Sequence, residues 1–274
     1  MDNNPLKQYF RRPAIYLKLP SKGEGYPAGS LEFNETGELP VFPMTAVDEI
    51  TSKTPDALFN GSAIVEIIKS CIPSIKDPWQ VKSIDVDAIL IAIRAASSNG
   101  EMDVESTCPS CTEEGKYGIN LSLLLASIKP SDYSQCLTMK DLTFKFRPLT
   151  YSQVNRNNLA QFELQRSVSA IQNLQNENDR TAQSSKIIKA VNDLALNVVA
   201  ESIEYIETPQ AKVDDKDFII DFLKNCDRNM YTKIRDFSTQ LREASEIKPL
   251  DIKCSNCGHD YKQEFTLNVS DFFD

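Results

Sequence analysis

The sequence predicts an α+β protein, mostly helical, with an extended N-terminal arm and two matched β-hairpins split by a helical insertion. Three observations carry that reading. Pro5, Pro13, Pro20, Pro27, Pro40 and Pro43 punctuate the first 45 residues and forbid a long helix there. Two short β-type stretches, near 99–121 and 247–268, are each built around a Cys-x-x-Cys turn. Between them, residues 151–246 contain no glycine and are rich in Gln, Asn, Glu, Ala, Leu and Ile.

The elements follow in order. Residues 1–45 alternate short β-type runs with Gly and Pro turns and read as an arm with one or two small hairpins. Residues 1–30 carry Lys7, Arg11, Arg12, Lys18 and Lys22 against Asp2 and Glu24, a local charge of +3 suited to reaching an acidic neighbour or simply to solvation. Residues 46–98 read as a helical core: Thr45 caps "AVDEI", "NGSAIVEIIKSCI" has helical period, and Ser83 caps "IDVDAILIAIRAAS". Cys71 falls on the apolar side of its helix, and Trp79 reads as packing under a connector.

Residues 99–150 read as a first hairpin, in which "EMDVEST" and "KYGINLSL" flank the cysteine turn, followed by a second over "QCLTMKDLTFKFRPLT". In the latter Leu142, Phe144 and Phe146 share one face, and Cys136 is expected to pack inward. Residues 151–246 read as an all-α insertion of two long and two shorter helices, the first long one over "SQVNRNNLAQFELQRSVSAIQNLQ" and the second over "TAQSSKIIKAVNDLALNVVAESIEYIE". Cys226 lies at a helix end with no assigned role. Residues 247–274 supply the second cysteine hairpin and the C-terminus.

Cys108-x-x-Cys111 and Cys254-x-x-Cys257 therefore occupy equivalent hairpin tips, separated by residues 112–253, 142 in all. Two such pairs are the donor set of a structural four-cysteine zinc site, and a two-residue gap lets both thiolates point at one tetrahedral centre about 2.3 Å away. The hairpin tips make the pair zinc-ribbon-like. Gly258 follows Cys257, where the turn needs a left-handed residue. Cys108, Cys111, Cys254 and Cys257 are thus the expected metal ligands, with Zn2+ favoured over an iron–sulfur cluster on the same thiolates. His259 could substitute for one ligand, but directly after a glycine it reads as a neighbour of the site. Four thiolates fill a tetrahedral ion and leave no position for water, which points to a structural metal.

Function classes narrow from here. A charge of −9 disfavours phosphate backbones, and Glu101, Asp103, Glu105, Glu113 and Glu114 surround the first cysteine turn. No nucleic acid is expected as a partner. The single histidine leaves no Ser-His-Asp set, and no Walker or dinucleotide glycine motif is present. Asp85/Asp87 and Asp214/Asp215 read as helix-start residues, so no catalytic residue and no small-molecule substrate are expected. The longest apolar run, "AILIAIRAA" at 88–96, is broken by Arg94 and falls short of the ~20 residues that span a bilayer. The polar start lacks the apolar segment of a signal peptide, so a reducing cytosol is the expected compartment, where seven cysteines argue for thiols and metal ligands. Two alternatives stay open on the residues: a zinc-ribbon adaptor on nucleic acid or a transcription complex, and a thiol redox protein.

Over residues 17–124 the chain resembles the baseplate hub protein family of T-even-type contractile-tailed bacteriophages. The pieces that carry the resemblance are "LPSKG" at 19–23, "PMTAVDEI" at 43–50, "KTPDALFNG" at 53–61, "CIPSIKDPW" at 71–79 and "SIDVDAILIAIR" at 83–94. It extends to the closing Cys-x-x-Cys region, and the insertion is similar only in character. The resemblance implies a baseplate hub subunit or hub assembly protein, without catalytic residues, whose partners are other hub and tail proteins. It implies a location in the host cytoplasm during assembly and in the tail baseplate of the virion.

Overall fold

The computed structural model describes residues 4–54, 60–98, 100–172, 177–265 and 267. Most of "KTPDALFNG" lies outside them. The α+β expectation holds, as helices are joined by small antiparallel sheets. The chain forms two compact units, Met1–Pro130 with Ser245–Asp274, and Ser131–Ala244.

The first unit is built on a short sheet and helices. Strand β1 (Ile15–Leu17) pairs antiparallel with β2 (Leu39–Val41), and Leu17, Leu19, Leu39 and Val41 turn inward. The arm's inner face is therefore part of the core. Helix α1 (Ala46–Ser52) starts at the expected Thr45, whose hydroxyl accepts from the Asp48 N–H while the Asp48 carboxylate accepts from the Thr45 N–H at 2.7 Å. Helix α2 (Ser62–Cys71) buries Ile64, Ile67, Ile68 and Cys71. Helix α3 (Ser83–Ser97) buries Ile84 and every residue from Ala88 to Ile93, the pattern of a helix covered on nearly all sides. It packs against β1, β2 and α2.

Two polar anchors tie the arm to these helices. Arg11 donates to Ser70 O at 2.8 Å, to Ser70 Oγ at 2.7 Å and to Pro43 O, and lies 3.4 Å from buried Asp48. Asp85 stands in the first turn of α3 as expected and is fully buried there, accepting from the Ser21 N–H and the Tyr26 hydroxyl, each at 2.8 Å. Burial raises its pKa against the opposing effect of those hydrogen bonds. Ser83 is not the cap, since Lys82 occupies that position and makes no side-chain capping bond.

Strands β3 (Glu101–Thr107) and β4 (Glu114–Asn120) form the first cysteine hairpin. The second strand stops earlier than its alternation suggested. Asn120 accepts from the Leu123 N–H at 3.0 Å and opens helix α4 (Leu121–Ser127), which seats Leu121 and Leu124 in the core.

The second unit corrects the expected all-α insertion at 151–246 and the grouping of 99–150. Strands β5 (Cys136–Met139), β6 (Leu142–Phe146), β7 (Ile203–Glu207) and β8 (Lys212–Val213) form one antiparallel sheet in that order. The hairpin at 135–150 thus belongs with the helices. The reason is hydrogen bonding: β6 pairs with β7, which emerges from the end of the second long helix. Helices α5 (Tyr151–Gln172) and α6 (Glu177–Ser202) form a hairpin, and α7 (Lys216–Asn225) and α8 (Arg228–Glu243) complete the unit. Thr150 and Gln153 form a capping box at the start of α5, and Asp215 and Asp227 cap α7 and α8. Phe144, Phe146, Ile203, Ile206, Ile219, Leu223 and Ile234 make the core. Cys136 is exposed rather than inward, because Leu137 and Met139 take the inner positions of β5.

Glu201 is the charged group inside this unit, with its side chain 4% exposed. Lys216 Nζ lies 2.7 Å from it, Arg156 donates to the same oxygen, and Asn157 donates to the other at 3.3 Å. Burial alone would raise its pKa, but the Lys216 and Asn157 hydrogen bonds and the Lys216 and Arg156 charges outweigh burial and lower it. A lowered folded-state pKa stabilises above the ordinary glutamate range of ~4.3 and is lost as pH falls through the folded value. Glu201→Gln should cost roughly 1–2 kcal/mol at neutral pH, since both cations stay half-exposed. It should also flatten the acid side of the stability curve. Denaturant unfolding of both proteins from neutral to acid pH checks this.

Candidate metal centre

The second cysteine hairpin pairs β9 (Leu250–Lys253) with β10 (Asp260–Gln263). Its turn repeats the first, bond for bond. The Cys108 N–H donates to Glu113 O and the Cys254 N–H to His259 O, both at 2.9 Å. The Thr112 N–H donates to Cys108 O and the Gly258 N–H to Cys254 O, again at 2.9 Å. The residue after the second cysteine is left-handed in both, with φ 58° at Thr112 and 73° at Gly258. Gly258 was legible as a turn residue. Thr112 was not, because a β-branched residue is a poor occupant of that region, and its hydroxyl bond to Cys111 O at 2.7 Å helps to hold it there.

The turns meet. The sulfurs of Cys108, Cys111, Cys254 and Cys257 all lie within 4.8 Å of one another. Cys108 Sγ is 3.7 Å from Cys257 Sγ, and Cys111 Sγ is 3.7 Å from Cys254 Sγ. A disulfide would bring two sulfurs to about 2.05 Å. The edge of a tetrahedron with bonds of about 2.3 Å is about 3.8 Å, the spacing of a four-thiolate ion site. All four sequence-predicted ligands are thus brought together. His259 is not in the group, and its ring stacks on Tyr261 with centroids 6.3 Å apart.

Cys108 and Cys254 are buried, Cys111 is half-buried and Cys257 is exposed. Backbone N–H groups of Cys257 and Asn256 facing the Cys254 sulfur bring its pKa down to about 6, against burial. At Cys257 the His259 N–H acts in the same direction. The crowded Cys111, Cys254 and Cys108 sulfurs overcome it and push that pKa up to about 12. Four thiolates this close repel one another, and a central cation removes the repulsion. Asn256 Nδ2 donates to Cys111 Sγ at 3.8 Å, the second turn supporting a sulfur of the first.

Side chains away from the cysteines brace the two hairpins, and nothing in the cysteine spacing points to them. Ser106 Oγ donates to Gln263 Oε1 at 2.6 Å and accepts from the Tyr261 hydroxyl at 2.9 Å. Tyr117 hydrogen-bonds to Tyr261, which together with burial raises its pKa, and the Ser255 N–H faces its oxygen. Gly115 makes room for Tyr117, whose hydroxyl lies 2.8 Å from where a Cβ would stand. The one sequence signal is alternation: Ser106 falls on the inward face of β3, where a buried polar residue calls for a partner. The flanking charges pair across strands, Lys116 with Glu105 at 3.0 Å and Lys262 with Asp251 at 3.7 Å.

Residues 30–274 match the family model described as T4 bacteriophage base plate protein. The chain belongs to that family. No curated protein and no solved structure matches it. Among the described residues no helix is long and apolar enough to cross a membrane.

The paired turns make different predictions at equivalent positions. No atom lies within 4 Å of a Cβ built on Gly258, so Gly258→Ala should cost the left-handed backbone penalty of about 1–2 kcal/mol, less the unfolded-state entropy it removes. Thr112→Gly relieves the same penalty but adds about 0.5–1 kcal/mol of unfolded-state entropy and gives up the hydroxyl bond to Cys111 O, so it should be near neutral. Denaturant unfolding under reducing conditions should show a loss for the first and little change for the second.

Proposed function

We propose that this member of the base plate protein family is a non-catalytic structural or assembly component of the tail baseplate hub, stabilised by one zinc ion on Cys108, Cys111, Cys254 and Cys257. The observation that carries the metal reading is the convergence of four sulfurs, all within 4.8 Å of one another, from two turns with the same hydrogen bonds. The family match over residues 30–274 supports the base plate role, and the resemblance at 17–124 supports the hub within it.

The donor set favours zinc. Soft thiolates in a tetrahedral arrangement suit Zn2+, and a cluster of several irons sets its cysteines further apart than one ion does. Four protein ligands complete the coordination, so the ion supplies cohesion and no site for substrate or water. Each cysteine hairpin is a two-stranded sheet, too small to be stable by itself. Binding the ion adds directly to the folding free energy of the first unit. The partners on this reading are other hub and tail proteins in the host cytoplasm during assembly, with virion retention as a further expectation.

Protein purified under reducing conditions should carry one zinc per chain and show no visible absorbance. Cys254→Ser should lose the metal and destabilise β3, β4, β9 and β10 by several kcal/mol, with the 131–244 unit keeping its hydrogen-exchange protection. Iron with visible colour, or metal-free wild-type protein, would overturn the zinc reading. The hub reading stands on a separate test. Tagged protein from infected cells should co-sediment with hub intermediates, and finding it with outer base plate parts alone would contradict it.

A further inference from the structure

Anchoring Arg11 has a geometric consequence for the rest of the arm. Side chains of an extended segment alternate between faces. With Arg11, Ile15, Leu17 and Leu19 turned toward the body, Phe10, Arg12, Ala14, Tyr16 and Lys18 all stand exposed on the opposite side. Phe10 is 57% and Tyr16 56% exposed. Leu6 and Tyr9, in the 3-10 turn just before, are 60% and 77% exposed. The result is a strip of aromatics and cations at steps of about 6.7 Å, displayed on a backbone held at Arg11 and along β1. Solvated tails do not expose aromatics in register, and such a strip is the mark of an interaction surface.

Charge says what fits it. Residues 1–30 carry +3 in a chain of −9, so the other 244 residues carry −12. One acidic element also displays an unpaired aromatic: on α7, Phe218 is 68% exposed, and Asp214, Asp217 and Asp221 are exposed around it. Asp215 is occupied as the helix cap, and Lys216 turns to Glu201. Asp217 and Asp221 stand one helical turn apart, about 6 Å, close to the step between neighbouring positions of the strip.

We infer that the exposed strip Phe10–Arg12–Tyr16–Lys18 of one copy docks on the acidic, Phe218-bearing face of α7 in a second copy. The two surfaces differ, so the contact is made either once per pair, in a head-to-tail ring or chain, or twice and reciprocally across a two-fold axis. Lys18 is drawn partly toward Glu38, 3.7 Å away on its own chain, which makes Arg12 the cation to test. This inference rests on neither the metal nor the hub reading.

The test is sedimentation velocity on the full-length, reduced protein over a hundredfold range of concentration, at about 50 mM and about 500 mM salt, where screening lengths differ severalfold. Wild type should associate in a concentration-dependent way, more weakly at high salt. Arg12→Glu and Asp217→Arg should each weaken association at least about tenfold with unchanged circular dichroism, since both sites are exposed. Mixing the two variants should restore association, because an intact strip and an intact α7 then meet in the mixture. Wild type that stays monomeric throughout would overturn the proposal. So would association that neither variant changes, or Arg12-dependent binding of a single-stranded oligonucleotide without self-association.

Discussion

The two cysteine hairpins of the first unit depend on their turns meeting at one point. The strands behind them are short, and each hairpin is a two-stranded sheet with its own hydrogen bonds and little else. What joins the hairpins is the four-sulfur cluster and the small polar brace of Ser106, Tyr117, Tyr261 and Gln263. Closing a chain loop of this length by a cross-link constrains the unfolded state by about 5 kcal/mol in the chain-entropy model. On the proposed zinc reading, a clip at residues 108–111 and 254–257 would act where the covalent chain does least to keep the partners together.

The intervening chain makes the closure easier than its length suggests. The 131–244 unit has its own core, around Phe144, Phe146, Ile203, Ile206 and Ile234. It also begins and ends at one place: β5 packs against α8, and Tyr133 packs on the core within the electrostatic reach of Arg242. Once that unit folds, its 114 residues, Ser131–Ala244, act as a short connection between the two cysteine hairpins. Its stability rests on different chemistry, an apolar core and the buried Glu201 with its cations, so the two units respond to different stresses.

Much of this was legible in the sequence, for identifiable reasons. The convergence of the four cysteines could be read because two Cys-x-x-Cys pairs at identical spacing in matching turns constrain the geometry strongly. The α1 start could be read because Thr45 and Asp48 form a capping box by local geometry alone. Strand β7 was hidden. Its inward residues, Ile203 and Ile206, are three apart, because the pairing with β6 shifts register between Lys145 and Phe146. That irregularity gives a strand the apolar spacing of a helix, directly after a real one. Missing β7 hid the sheet, and with it the true start of the insertion at 131. The helix-start place of Asp85 could be read, but its partners Ser21 and Tyr26, about 60 residues earlier, could not. Long-range hydrogen bonds of that kind leave no periodic trace.

The most direct test of the central claim, that both cysteine pairs hold one ion, is X-ray absorption at the zinc edge of the purified protein. The account predicts a first shell of four sulfurs at about 2.3 Å with no nitrogen or oxygen ligand. A shell of two sulfurs completed by light atoms would mean that the two turns do not close on a common metal, and would contradict it.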